Sequence, residues 1–227
     1  MSATGLFAGF EQRELTTSRG SINAVIGGSG PPLLLLHGYP ESLLMWHATA
    51  PLLAEHHTVV ATDLAGYGTS FRPRPTPDHT AHSKRAMARD QVEAMAQLGF
   101  ASFAVAGHDR GGRVAYRMAL DHPECVGRLA TLDDAGAVEA MCEDYRAGAT
   151  VDVEHDDSDR EAGRRIECPV LVLWATRGGL PRFYGDVLDV WRPWAADVRG
   201  AGSDAKHFLA EDRPEATADQ LLAFFSS

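Results

Sequence analysis

The chain predicts an α/β architecture: a mostly parallel sheet of about eight strands with helices on both faces, entered through an antiparallel hairpin. Three observations predict it. Short runs of four or five apolar residues alternate with longer stretches in which apolar residues recur every three or four positions, the signature of strands joined by crossover helices. The short runs are apolar throughout, as strands covered on both faces are. Near the N-terminus two β-rich segments instead flank Arg19-Gly20, a tight-turn signal.

In order, residues 11–18 and 21–26 form the hairpin, and the break Gly27-Gly28-Ser29-Gly30-Pro31-Pro32 precedes a buried strand at 33–36. Further strands are expected at 58–61, 103–106, 128–132 and 170–174, and helices at 46–55, 83–98, 112–121, 186–195 and 214–225. Arg72-Pro73-Arg74-Pro75-Thr76-Pro77 reads as a restricted loop. Residues 133–167 read as a connection, with a solvated acidic loop at 154–159.

The chain's 227 residues, 44% hydrophobic, suit one globular core domain spanning 1–227. A formal net charge of −10 repels polyanions, which excludes nucleic acid as the expected partner. No apolar run approaches the ~20 residues of a membrane helix. Cys125, Cys142 and Cys168 show no disulfide framework and the first ten residues no export signal, so a cytoplasmic address is expected. No metal is expected, because the acidic stretch at 154–159 lacks the spacing of a calcium loop or zinc motif. Gly66-Tyr67-Gly68 likewise lacks the residues that complete a nucleotide-binding loop.

The strongest chemical signal is Gly107-His108-Asp109-Arg110-Gly111-Gly112, placed between a strand and a helix. A nucleophile elbow needs small residues two positions before and after the nucleophile, because the strained turn leaves no room for side chains. Asp109 takes the nucleophile position; its bland alternative is the N-cap of an ordinary strand-to-helix turn. His37-Gly38-Tyr39-Pro40, after the strand at 33–36, stands where such a sheet builds an oxyanion hole from the backbone N–H groups of Tyr39 and Arg110. The order nucleophile, acid, histidine then requires a late histidine, and His207 stands in that place. The other histidines named along the chain, His56, His57, His79, His82 and His122, read as surface or structural groups. No carboxylate follows the strand at 170–174, so the orienting acid is Asp133 or Asp134, with Asp133 closer to its strand end.

These residues resemble the haloacetate, in particular fluoroacetate, dehalogenases of the α/β-hydrolase fold. The resemblance rests on residues 33–40, 63–68, 84–88, 107–113 and 142–149 and runs in order over nearly the whole chain. It implies that Asp109 displaces halide from the α-carbon and that His207, held by Asp133, activates water to hydrolyse the ester. It assigns Arg110 and Arg113 to the substrate carboxylate, a role that suits guanidinium forks; the bland reading of Arg113 is a surface ion pair. It implies no cofactor. The partners are a small halogenated carboxylate and water, and a homodimer is among the assemblies open to the chain.

Members of that family are longer. In them a helical cap follows the strand that here ends at Asp133, whereas here a short linker near 134–140 bridges the gap. The cap carries the family's halide-binding side chains, so activity, above all defluorination, is expected to be weakened. A second departure is Lys206, where relatives carry a glycine before the histidine, which casts doubt on the placement of His207. The alternatives are a catalytically impaired or engineered hydrolase scaffold, and an epoxide hydrolase, which shares the Asp nucleophile but usually carries Trp where Arg110 stands.

Overall fold

A computed structural model describes residues 5–133, 149–177 and 186–226 of the chain. Eight strands form one sheet: β1 (Glu11–Thr16), β2 (Ser21–Gly27), β3 (Pro32–Leu36), β4 (Thr58–Thr62), β5 (Phe103–His108), β6 (Val126–Asp133), β7 (Val170–Ala175) and β8 (Val198–Ser203). Their order is β1-β2-β4-β3-β5-β6-β7-β8. The β1–β2 and β2–β4 pairs are antiparallel and every other pair is parallel. The expected linker near 134–140, and Asp134 with it, lies outside the described residues.

Strand alternation explains the two-layer core. Leu34 and Leu36 point to one face and join Met87, Met95, Val114 and Met118 of the helices α2 (Lys84–Gln97) and α3 (Arg110–Asp121). Leu33 and Leu35 point to the other and join Leu53 of α1 (Ala50–Leu53) with Leu221 and Phe224 of the C-terminal helix Pro214–Phe225. All four leucines are fully buried, which is why the run carries no polar residue. On the sheet's outer edge β1 is almost wholly exposed.

Three expectations require correction, and the eighth strand of the expected sheet, to which the sequence reading gives no position, takes its place. The helix expected at 46–55 is a 3-10 turn, Leu43–Trp46, followed by the single-turn α1. Pro51 sits in the first turn of α1, the position where its missing N–H costs least, and it cannot extend a helix running in from residue 46. The helix expected at 186–195 is a 3-10 turn, Val187–Val190, capped by Asp186; Pro193 stands where a longer helix would need an N–H. The eighth strand, β8, escapes detection because Gly200 and Gly202 are poor strand formers. They make room for Trp174: a Cβ on Gly200 would lie 3.0 Å from that ring's Cζ3 and 2.5 Å from the Val172 carbonyl oxygen.

The acidic stretch at 154–159 is not a solvated loop but part of a helix, α4 (Val151–Glu161). Its carboxylates meet buried cations. Arg117 of α3, 1% exposed, pairs with Asp159, with Asp156 at 3.5 Å and with Asp121 of its own helix at 2.8 Å. Asp152 accepts from the backbone N–H of Lys84 at 3.0 Å and faces its ammonium at 3.5 Å. Burial would raise the Asp121 carboxyl, but Arg85 and Arg117 outweigh it and hold the group below the usual range. Periodicity alone could not reveal α4, because ion pairs rather than an apolar stripe hold it. Truncating Arg117 to Met should therefore cost about 3–5 kcal/mol in chemical denaturation, since the buried cation between these carboxylates would be gone, leaving Asp159 to the half-exposed Arg164 and Asp121 to Arg85. A loss below about 1 kcal/mol would show that those carboxylates are solvated instead.

Candidate active site

The sheet order places β3 beside β5, so the loop after β3 faces the turn after β5. That turn is the expected elbow. Asp109 adopts φ 47° and ψ −110°, outside the regions an L-residue ordinarily occupies, and leads directly into α3. The chain doubles back so tightly that a Cβ on Gly107 would lie 2.3 Å from the Gly111 carbonyl oxygen. Asp109 is 8% exposed, and its Oδ2 accepts the backbone N–H of Tyr39 at 3.0 Å. Gly38 permits this approach, since a Cβ there would meet the Asp109 Cβ at 2.7 Å.

The loop that supplies Tyr39 is locked by His37, which is fully buried. Its Nε2 accepts the Leu64 N–H at 3.0 Å, so its Nδ1 carries the proton and donates to the Gly38 carbonyl at 2.8 Å. The ring is thus a neutral tautomer, and burial lowers its pKa despite the nearby Asp63. Asp63 ties the surrounding segments together. One of its oxygens accepts from Leu43 N–H at 2.8 Å, and the other from Asn23 at 2.8 Å and Thr69 N–H at 3.1 Å.

His207 lies between β8 and the one-turn helix α5 (Leu209–Asp212), and α6 (Pro214–Phe225) follows. Its half-buried ring packs 4.7 Å from the His108 ring and 4.8 Å from Phe208, centroid to centroid. Asp109 and His207 therefore flank the same residue, His108. Lys206, directly before His207, is exposed, has a backbone outside the left-handed region, and donates its N–H to Asp212 at 3.0 Å.

The remaining expected residues divide. Asp133 ends β6 in register with Trp174 of β7, at the same sheet end as the elbow, and its side chain lies outside what is described. Arg110 is buried at the start of α3, whereas Arg113 is exposed. Arg113 lines a cavity of ≈ 230 Å³ together with Gly112, Tyr116, Thr131, Trp191 and Trp194, one turn along α3 from Asp109. Among the described residues no group of three or more His, Cys, Asp or Glu could hold a metal ion, and no helix is long and apolar enough to cross a membrane.

Sequence reasoning passes over two residues that the fold draws in. His108 is fully buried, with Nδ1 at 2.8 Å from Glu41 Oε2 and Nε2 at 2.9 Å from the His207 carbonyl oxygen. The available signal was a second histidine directly before the elbow Asp and a carboxylate directly after His37-Gly38-Tyr39-Pro40.

Residues 31–147 match the family model described as the α/β hydrolase fold. The chain is 36% identical to a fluoroacetate dehalogenase of Burkholderia sp., in an alignment covering 97% of this chain and 95% of that one. It is 28% identical to a soluble epoxide hydrolase of Corynebacterium sp. (strain C12), over 94% and 98% of the two chains. A crystal structure of a putative α/β hydrolase from Nostoc sp. PCC 7120 superposes with a TM-score of 0.90 at 41% identity, covering 96% of this chain and 98% of that one. The protein belongs to the α/β-hydrolase family. The dehalogenase alignment runs to 293 positions although this chain has 227 residues, so it includes positions that the relative has and this chain lacks.

The His37 lock has a pH signature. Its folded-state pKa is lowered, so the stability it contributes is present above the unfolded-state value of about 6.5 and is lost as pH falls through the folded value. Chemical denaturation at stepped pH should show stability declining below about pH 6.5 more steeply in the wild type than in His37→Gln. Equal slopes would show that this ring takes up a proton without breaking its loop.

Proposed function

We propose that the protein is a hydrolytic dehalogenase of small 2-halocarboxylates, built on a hydrolase core without a helical cap. One observation carries this reading: an aspartate, not a serine, occupies the elbow, with Oδ2 already held by the Tyr39 N–H. Oδ1 is then the attacking atom. It displaces halide from the α-carbon, forming a C–O bond as the carbon–halogen bond breaks, and leaves an ester on Asp109. A serine alkylated in the same way would leave an ether that water does not open.

In the second step His207 takes a proton from water, which adds to the ester carbonyl carbon of Asp109. Negative charge then develops on Oδ2, facing the Tyr39 N–H and, by the elbow rule, the N–H of Arg110. Collapse breaks the bond from the acyl carbon to the ester oxygen; His207 passes its proton to the departing alkoxide, and the new carboxyl loses its own proton to solvent, which restores the Asp109 carboxylate and releases the 2-hydroxy acid. Asp133 orients His207 in this reading. Arg110 and Arg113 take the substrate carboxylate, offsetting its repulsion by Asp109 and by a chain of net charge −10. The similarity to a fluoroacetate dehalogenase supports the substrate class, and the surplus length of that alignment supports a missing cap.

An open site hydrates both the nucleophile and the departing halide, so the hardest bond suffers most. Bromide and iodide release from the haloacetates should exceed fluoride release, measured by ion chromatography. Asp109→Asn should abolish all of it, by at least about 10³-fold. His207→Gln should instead accumulate the Asp109 ester, seen as added mass on the intact protein. Fluoride release as fast as bromide release would refute the capless reading. An intact, folded chain that releases no halide and forms no adduct would make it an impaired scaffold. The same Asp and His could open an epoxide, as the similarity to an epoxide hydrolase suggests; diol formation without halide release would favour that alternative.

A further inference from the structure

We propose that Glu41 and His108 are a positioning pair that shares one proton and fixes the main chain of His207, so that losing this proton sets the alkaline limit of turnover. The inference rests on the reading that Asp109 and His207 carry out hydrolysis through an ester.

The geometry counts the protons. A neutral imidazole has one N–H, yet both ring nitrogens of His108 face acceptors. A backbone carbonyl has only lone pairs to offer, so Nε2, 2.9 Å from the His207 oxygen, must carry hydrogen. Nδ1 lies 2.8 Å from Glu41 Oε2, and a second proton must lie between them. That oxygen also accepts the Gly38 N–H at 3.1 Å, which favours the carboxylate and leaves the proton on the ring. The result is a buried imidazolium beside the nucleophile, with the ring fully buried and the Glu41 side chain 8% exposed.

Five groups face this ring or act on it from the packed elements: Glu41 and His37 from the strand-loop after β3, Asp109 at the elbow, and His207 and Glu211 from the segment after β8. Burial disfavours the charged ring, but the Glu41 hydrogen bond and charge, with Asp109, prevail and raise its pKa. His37 remains neutral and cannot supply the missing charge. Glu41 lines a cavity of ≈ 340 Å³ with Pro40, Phe208 and Glu211, a route for the proton to leave.

Removing the shared proton leaves the remaining N–H with the stronger acceptor, the Glu41 carboxylate. The Nε2 lone pair then faces the His207 carbonyl oxygen, and attraction becomes repulsion. The His207 carbonyl oxygen loses the His108 donor and keeps the Leu209 N–H at 3.1 Å. The His207 ring can then no longer hold its angle to the ester. Glu41→Gln removes the requirement. The amide donates to Nδ1 and a neutral His108 donates from Nε2, so both ring contacts survive without a shared proton, while the Gly38 N–H gives up the acceptor it has in Glu41 Oε2.

The test uses the full chain, with histidine ring nitrogens followed by NMR across pH and haloacetate turnover followed in parallel. The wild type should show one histidine with both nitrogens still protonated above the usual imidazole range, absent from His108→Gln. In Glu41→Gln that signature should disappear at neutral pH, and the alkaline limb of turnover should move upward by on the order of one pH unit. The His207 ring signals of the wild type should shift as the second His108 proton is lost. A singly protonated His108 at neutral pH, His207 signals indifferent to that proton, or an unmoved limb in Glu41→Gln would each overturn the pair. If no haloacetate yields halide, the dehalogenase reading falls by itself, while the two NMR readouts still decide the proton count and the coupling to His207.

Discussion

The backbone of Asp109 carries the rest of the site. A non-glycine residue held at φ 47° between a buried strand and a helix is a conformation that the surroundings must over-determine. Here they do so from three sides. β5 lies between β3 and β6, α3 starts at the next residue, and the Tyr39 N–H grips the carboxylate from the loop after β3. Each fixes a different part of one residue: its chain direction, its turn and its side-chain rotamer. Parallel pairing of β3 with β5 makes the meeting possible, because both strands release their following loops at the same sheet end.

Two buried histidines show how local partners, and not burial alone, decide charge. His37 faces one donor and one acceptor and is neutral; His108 faces two acceptors and binds an extra proton. The first holds the loop that presents Tyr39, and the second lies between the elbow and His207. A neutral lock on one side and a charge-paired one on the other thus hold the segments that flank Asp109, and the His108–Glu41 pair does so without adding net charge to the site.

Much of this was legible in the sequence because its signals are local. Leu33, Leu34, Leu35 and Leu36 announce a doubly covered strand, and Gly107 and Gly111 announce a turn too tight for side chains. His207 was legible by its order in the chain. The misses are of a different kind. α4 is held by Arg117 and Lys84 from other helices, so its acidic residues look like solvated ones until their partners are known. The His108–Glu41 contact joins residues 67 positions apart, and nothing in either neighbourhood demands the other. β8 was hidden because its glycines answer to the Trp174 ring on the next strand. In every case the deciding partner was remote in sequence.

The outer strand β1 bears on how these molecules behave in a crowd. Its exposed row carries Glu11, Gln12, Arg13 and Glu14, with Arg13 bound to Glu11 at 2.9 Å across the strand face. An open sheet edge offers unpaired backbone groups to any passing strand, and charged side chains along it make such templating unfavourable. A second chain docking there would have to strip water from carboxylates of like sign in register. The hairpin that opens the fold thus also terminates it, closing the sheet to further growth at that edge.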